Sequence, residues 1–191
     1  TIVHEATHAW FNDRLFAERW IFEGLAEEYA SMVLDELLGS RDLPGDVSPR
    51  DAAAFPLVTW GPPSPIRDDD AAARERFGYA AAWTVMHAIV AEAGTDGMRA
   101  VFRASHDRTI AYLGDVPAEP DLRVPDWRRL LDLLEELAGV DGAEALLRTW
   151  VVDDEGAREL DARAAARASY AELIAAGDGW LPPIAVRQPM A

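Results

Sequence analysis

The sequence predicts a mainly α-helical fold. Apolar residues recur with helical spacing over most of the 191 residues, and glycines such as Gly39 and Gly94 end successive runs. No stretch has the length and alternation of a convincing strand. Half of the residues are hydrophobic and 27% are charged, which is ordinary globular composition for a chain able to bury a core.

The first third of the chain predicts two helices and a long loop. Residues 1–11 read as a short helix with Thr1 as the candidate N-cap, and Asn12-Asp13 follows as a turn signal. Residues 15–38 read as a long helix that ends at Gly39-Ser40. Most of the prolines lie in 41–67, which predicts an irregular loop of a length that is often functional.

The rest of the chain continues the helical pattern. We expect the run Asp68-Asp69-Asp70 to be a solvated helix start, because three acids suit the positive end of the helix dipole. Leucines and a tryptophan share one face of 126–138, and Asp141 with Glu144 resembles a capping box. The predicted helices are 68–92, 96–104, 126–138, the helix carrying Leu146, Leu147 and Trp150, and 156–176, with a proline-containing connection at 113–125 and a tail around Pro182-Pro183.

The composition excludes several kinds of chemistry. All 18 basic residues are arginine, so a Walker A loop and a pyridoxal Schiff base are ruled out. The chain has no cysteine, which removes disulfides, thiolate metal ligands and a cysteine nucleophile. With a net charge of −16, we do not expect nucleic-acid binding, because an acidic surface repels phosphates. No run of eighteen apolar residues exists, so we expect no membrane span.

The strongest chemical signal is the pentapeptide His4-Glu5-Ala6-Thr7-His8, an HExxH motif. Histidines four residues apart project from one helix face, so both imidazoles can reach one metal ion. Glu5 is rotated by about 100° from His4. It therefore does not ligate, but it can act as the general base on a water molecule at the metal.

A third ligand must come from elsewhere. A metzincin extension would need Gly at position 11 and His at 14, where the chain has Phe11 and Arg14. A di-iron bundle needs a second ExxH unit, which neither His87 nor His106 completes. The next predicted helix offers three glutamates: Glu23, Glu27 and Glu28. Glu23 and Glu27 lie one turn apart on one face, whereas Glu28 points away and is expected to be a solvated charge.

HExxH followed by Trp20, then Glu23-Gly24 and Ala26-Glu27, resembles the gluzincin metallopeptidases, and peptidase MA-like domains in particular. The resemblance implies Zn²⁺ held by His4, His8 and Glu23, with Glu27 supporting the first histidine. Fourteen residues separate His8 from Glu23, which is short for the best-known gluzincins. Eighteen separate His8 from Glu27, the familiar aminopeptidase-type spacing, so Glu27 stays open as the alternative third ligand.

The same resemblance suggests the donor that stabilises the oxyanion of the reaction. Phe77-Gly78-Tyr79-Ala80 resembles the later gluzincin helix that carries a tyrosine, which assigns this role to Tyr79; an ordinary packing role stays open. His87, two turns further along, is expected to be a satisfied helix histidine, although it could reach the cleft. We expect the three tryptophans near the motif residues to pack and fix the helices: Trp10, Trp20 and Trp83.

Together these features predict a zinc-dependent metallopeptidase, a hydrolase acting on a peptide or protein substrate. The alternatives are a catalytically inactive relative and a structural helical domain. We expect the gluzincin-like core in 1–105 and a helical region packed on it in 106–191. The start at Thr1, without an initiator methionine, suggests a fragment. The zincin-like domain implied by the resemblance has an upstream β-sheet that is absent from this chain.

Overall fold

A computed structural model describes residues 2–109 and 123–177. This part of the chain is mainly helical and contains no strand, which confirms the predicted class. The helices are α1 (Ile2–Thr7), α2 (Arg19–Leu38), α3 (Asp69–His106), α4 (Trp127–Ala138), α5 (Ala143–Leu146) and α6 (Asp154–Ala176), with a 3-10 turn at Leu57–Thr59 and a π-helical turn at Leu147–Val151. No described helix combines the length and apolarity that crossing a membrane requires.

Helix ends follow the sequence signals at most positions. Asp68, Asp126 and Asp153 cap α3, α4 and α6 by accepting bonds from backbone N–H groups in the first turn. Gly39 and Gly139 end α2 and α4 in the left-handed conformation that glycine adopts without steric cost. Gly94, predicted to end a helix, has φ 64° and ψ 177° and breaks α3 into two helical stretches. The acids at the start of α3 are exposed, as predicted.

Two predicted helix boundaries and one predicted cap were wrong. α1 ends at Thr7 because i−3 bonds, such as the one from Trp10 N to Thr7 O, tighten the chain into turns. α2 begins at Arg19 rather than near residue 15. The capping box at α5 does not form; Gly142 is the N-cap, and its N–H donates to Glu92 Oε1 of α3 instead. The predictions for Thr1, for Pro182-Pro183 and for most of 113–125 fall outside the described residues.

α2, α3 and α4 carry one continuous hydrophobic core. α2 packs against α3, and α3 packs against α4. Trp20 and Leu25 from α2, Met86 and Ile89 from α3, and Leu130 from α4 are all fully buried in this core. Leu137, predicted on the buried face of α4, is 42% exposed because it lies in the last turn of the helix. The arrangement places α2 between the short α1 and the long α3.

Gly24 sets how closely α2 and α3 approach. A Cβ atom at this position would lie 2.5 Å from Ala82 O and 2.8 Å from Met86 Cγ, so the helices meet without room for a side chain. We expect Gly24→Ala to lower the free energy of unfolding by roughly 1–3 kcal/mol through overpacking, despite alanine's better helix propensity. Urea denaturation measures this. Gly45→Ala, where a Cβ meets nothing within 4 Å, is the matched control, and equal stabilities of the two variants would contradict the close approach.

Glu18, the residue before α2, couples stability to pH. Burial, together with the nearby charge of Asp126, raises the pKa of Glu18 from 4.5 to about 8. The folded chain therefore holds a proton that the unfolded chain releases between about pH 4.5 and 8. The unfolded state binds fewer protons over this range, so the free energy of unfolding falls as pH rises through it.

Removing the charge of Glu18 is expected to relieve this loss. Glu18→Gln should raise the free energy of unfolding at pH 9 by roughly 1–3 kcal/mol relative to the wild type and leave it nearly unchanged at pH 4. Urea denaturation at both pH values gives the comparison. Glu172→Gln, at an exposed position of α6, is the control. A gain at pH 4 as large as that at pH 9 would contradict the shifted ionisation.

Candidate metal centre

Side-chain bonds to the backbone hold the HExxH segment against α2. Thr7 Oγ1 donates to His4 O over 2.6 Å and contacts Ala26 O of α2 at 3.4 Å. Asn12 Nδ2 donates to His8 O and so closes the turn in which His8 lies, just beyond α1. His4 and His8 still lie on one face, because the chain remains helically wound through the turn that follows Thr7. Both imidazoles consequently face the first turns of α2.

His4, His8 and Glu23 converge as the sequence predicts. His4 Nε2 and His8 Nε2 lie 3.1 Å apart, and Glu23 Oε2 lies 3.3 Å from the first and 3.5 Å from the second. A tetrahedral zinc ion bound at 2.0–2.1 Å requires its ligand atoms to be about 3.3–3.4 Å apart. Within the described residues, this trio forms the one cluster of three His or carboxylate ligands that could hold a metal ion.

The Nδ1 atom of each histidine lies close to an oxygen atom of another residue. His4 Nδ1 lies 3.2 Å from Glu27 Oε1, and His8 Nδ1 lies 2.9 Å from Phe11 O. In the neutral ring His8 Nδ1–H is donated to Phe11 O, whereas the contact of His4 Nδ1 with Glu27 is an ion-pair distance. In both rings the Nε2 atom is the one that faces Glu23. Glu27 Oε1 therefore lies on the Nδ1 side of His4, away from Glu23 Oε2.

The donor set fits a cation. Glu23 Oε2 is buried and has no hydrogen-bond partner among the described residues, although it faces two imidazole nitrogens. Three lone-pair-bearing atoms in this proximity repel one another unless a positive charge lies between them. The neighbouring carboxylates of Glu23 and Glu27 raise the pKa of His4 from 6.5 to about 9, so a metal ion competes with a proton at His4.

The predicted catalytic groups lie beside this centre. Glu5 is exposed on α1, and no hydrogen bond or ion pair to a described residue engages its carboxylate. Tyr79 is half-buried on α3, where burial raises its pKa and the charge of Glu23 acts in the same direction. An open groove of about 480 Å³ lies beside Tyr79 and is also lined by Glu27, but His4, His8 and Glu23 do not line it.

Sequence reasoning missed Arg19, which is 5% exposed at the start of α2. Its guanidinium makes a bidentate pair with Glu75, with its Nη1 and Nη2 atoms 3.1 Å and 2.9 Å from the two carboxylate oxygens. Nη2 also donates to Tyr79 Oη at 3.1 Å, and the guanidinium stacks 4.0 Å above the Trp60 ring. The sequence signal that could have indicated a role for Arg19 is its i,i+4 spacing to Glu23, which is typical of an ion pair on one helix face.

Glu28 contradicts the prediction of a solvated charge, because its side chain is only 1% exposed. It is paired with Arg41 and accepts hydrogen bonds from Trp83 Nε1 at 3.0 Å and His87 Nδ1 at 2.9 Å. α3 packs over this side of α2, and three donors replace the water that the carboxylate loses. His87 is thus a satisfied helix histidine, as predicted.

The three tryptophans near the motif differ in their environments. Trp20 is fully buried, and Trp83 is partly buried with its indole N–H on Glu28, in agreement with a packing role. Trp10 is 70% exposed, so the packing prediction was wrong for this residue. The tight turn after Thr7 directs Trp10 outward, while Phe11 takes the core position beside Tyr29 and Phe102.

Comparisons of the chain with protein-family models, curated proteins and solved structures found no match. The function of the chain is therefore inferred from the geometry of the site.

Proposed function

We propose that the chain is a zinc-dependent metallopeptidase of gluzincin type, with the fold of the helical part of a zincin-like domain. His4 Nε2, His8 Nε2 and one oxygen of Glu23 would hold Zn²⁺, and Glu27 would orient His4. The observation that carries the proposal is the mutual separation of 3.1–3.5 Å between these three atoms, with His8 Nδ1 bonded to Phe11 O and His4 Nδ1 3.2 Å from Glu27 Oε1. Zinc prefers such nitrogen and oxygen ligands in tetrahedral sites with one position left open.

The bound ion, Glu5 and Tyr79 would each supply one part of the proposed reaction. The bound ion would lower the pKa of water and polarise the scissile carbonyl. Glu5, exposed beside the ligands, would take a proton from the attacking water and deliver it to the leaving amine nitrogen. Tyr79 would donate its hydroxyl proton in a hydrogen bond to the oxyanion that develops on the carbonyl oxygen. The substrate is a peptide or protein.

Peptide hydrolysis that depends on metal tests this proposal. An unfolded, disulfide-free protein incubated with the zinc-loaded chain is expected to be cleaved, and the fragments can be counted by mass spectrometry. A chelator should abolish cleavage, and added zinc should restore it. Stoichiometric zinc without cleavage would favour the catalytically inactive alternative. A chain that binds no zinc would favour the structural alternative, in which the HExxH motif is a coincidence.

A further inference from the structure

We propose that Arg19 is a positioning residue, which holds Tyr79 and Glu23 in one rigid arrangement and leaves the Tyr79 hydroxyl proton for the oxyanion. The inference rests on the proposed peptidase function and adds a residue to which the HExxH pattern assigns no role. It depends on a cluster of four side chains at the junction of α2, α3 and the loop between them: Arg19, Trp60, Glu75 and Tyr79.

The guanidinium of Arg19 is held from several directions. Its side chain is 4% exposed, it is bidentate to Glu75, and Nη1 also donates to Gly61 O at 3.2 Å. Stacking on Trp60 fills one face of the plane. A buried cation held by a carboxylate, a carbonyl and a ring has little freedom to change its orientation. Groups bonded to it are fixed in the same way.

The bonding of Tyr79 determines what its hydroxyl can do. Arg19 Nη2 donates to Tyr79 Oη, so the phenol oxygen is the acceptor in that bond and its own proton is not used. Glu75 is the carboxylate of this cluster, and its charge also acts on Tyr79. Both of its oxygens already accept from Arg19, and Oε1 also accepts from Trp60 Nε1 at 3.2 Å. The ion pair thereby keeps the hydroxyl available as a donor.

Arg19 also faces the proposed third ligand. Its Nε lies 3.7 Å from Glu23 Oε1, one helical turn along α2, while Glu23 Oε2 faces the two histidines. The positive charge attracts one carboxylate oxygen and so directs the other towards His4 and His8. A single side chain thus connects the carboxylate at the candidate metal centre to the proposed oxyanion donor.

Zinc affinity provides the first test and needs no turnover. Lysine at position 19 keeps the charge but cannot reproduce the bidentate pair together with the bond to Tyr79. We expect Arg19→Lys to weaken zinc binding by about tenfold, as outer-shell changes at metal sites do. Competition against a chromophoric chelator measures this. Arg99→Lys, at an exposed pair with Asp96, is the matched control. An unchanged zinc affinity in Arg19→Lys would overturn the proposed role of Arg19 in directing Glu23 towards the histidines.

A double-mutant cycle provides the second test. With zinc at saturating concentration, Arg19→Lys should lower kcat by about tenfold with little change in KM, but it should cause no further loss in a Tyr79→Phe background. A purely structural role predicts equal losses in both backgrounds, and that result overturns the inference alone. Glu75→Gln, measured in the same way, replaces Arg19→Lys if that variant does not fold. A wild type that binds zinc without hydrolysis overturns the proposed function and this inference together.

Discussion

Glu5→Gln is expected to abolish peptide hydrolysis while zinc stays bound. Glutamine has nearly the shape of glutamate but cannot accept a proton from water or return it to the leaving nitrogen. Loss of a general base typically costs about 10²–10⁴-fold in rate. The exposed position of Glu5 means that the substitution leaves the core untouched. The measurement is kcat on an unfolded protein substrate, paired with zinc content by elemental analysis.

The control for this prediction is Glu36→Gln, which removes an exposed carboxylate from α2 at a position remote from the ligands. It should retain wild-type activity and zinc. Because Glu5 is not a proposed ligand, the Glu5→Gln variant should retain zinc. Its zinc content therefore distinguishes the loss of a general base from the loss of the metal site. Full activity in Glu5→Gln would falsify the assigned role of Glu5.

Glu23→Gln is expected to remove tight zinc binding. The substitution replaces an anionic oxygen, buried and without a hydrogen-bond partner among the described residues, by a neutral amide. The amide that replaces it lacks the negative charge of the carboxylate at a position 3.3 Å from His4 Nε2. The zinc affinity should fall by more than the roughly 10–100-fold that losing an outer-shell partner costs.

Glu27→Gln is the comparison that decides which glutamate ligates. Glu27 Oε1 contacts the Nδ1 side of His4, so its replacement should weaken zinc binding within the 10–100-fold range without abolishing it. Competition titrations of both variants give the ranking. The reverse order, with Glu27→Gln losing zinc and Glu23→Gln keeping it, would establish Glu27 as the third ligand.

The HExxH part of the candidate cluster was predictable from the sequence because its geometry is local, whereas the approach of Glu23 depends on how α1 packs on α2. The four-residue spacing of His4 and His8 places both rings on one face, and the same spacing places Glu27 one turn from Glu23. The end of α2 was readable for the same reason, because the αL conformation of Gly39 involves only a few consecutive residues.

Features that depend on distant partners were not predictable. Arg19 reads as an ordinary helix-start cation, and its burial follows from Glu75, which lies 56 residues away on α3. Glu28 reads as a solvated charge until α3 brings Trp83 and His87 onto it. Periodicity gives the face of a helix but not what packs on it. The exposure of Trp10 likewise depends on turns that begin earlier than the predicted helix end.

The position of zinc in a crystal of the metal-loaded chain tests the central claim most directly. Anomalous scattering at the zinc edge is expected to give one peak per chain, about 2.0–2.2 Å from His4 Nε2, His8 Nε2 and a Glu23 oxygen. The Nδ1 atoms of the two histidines should remain on Glu27 and Phe11 O. A peak at another place, or no peak between these three side chains in zinc-saturated crystals, would contradict the account.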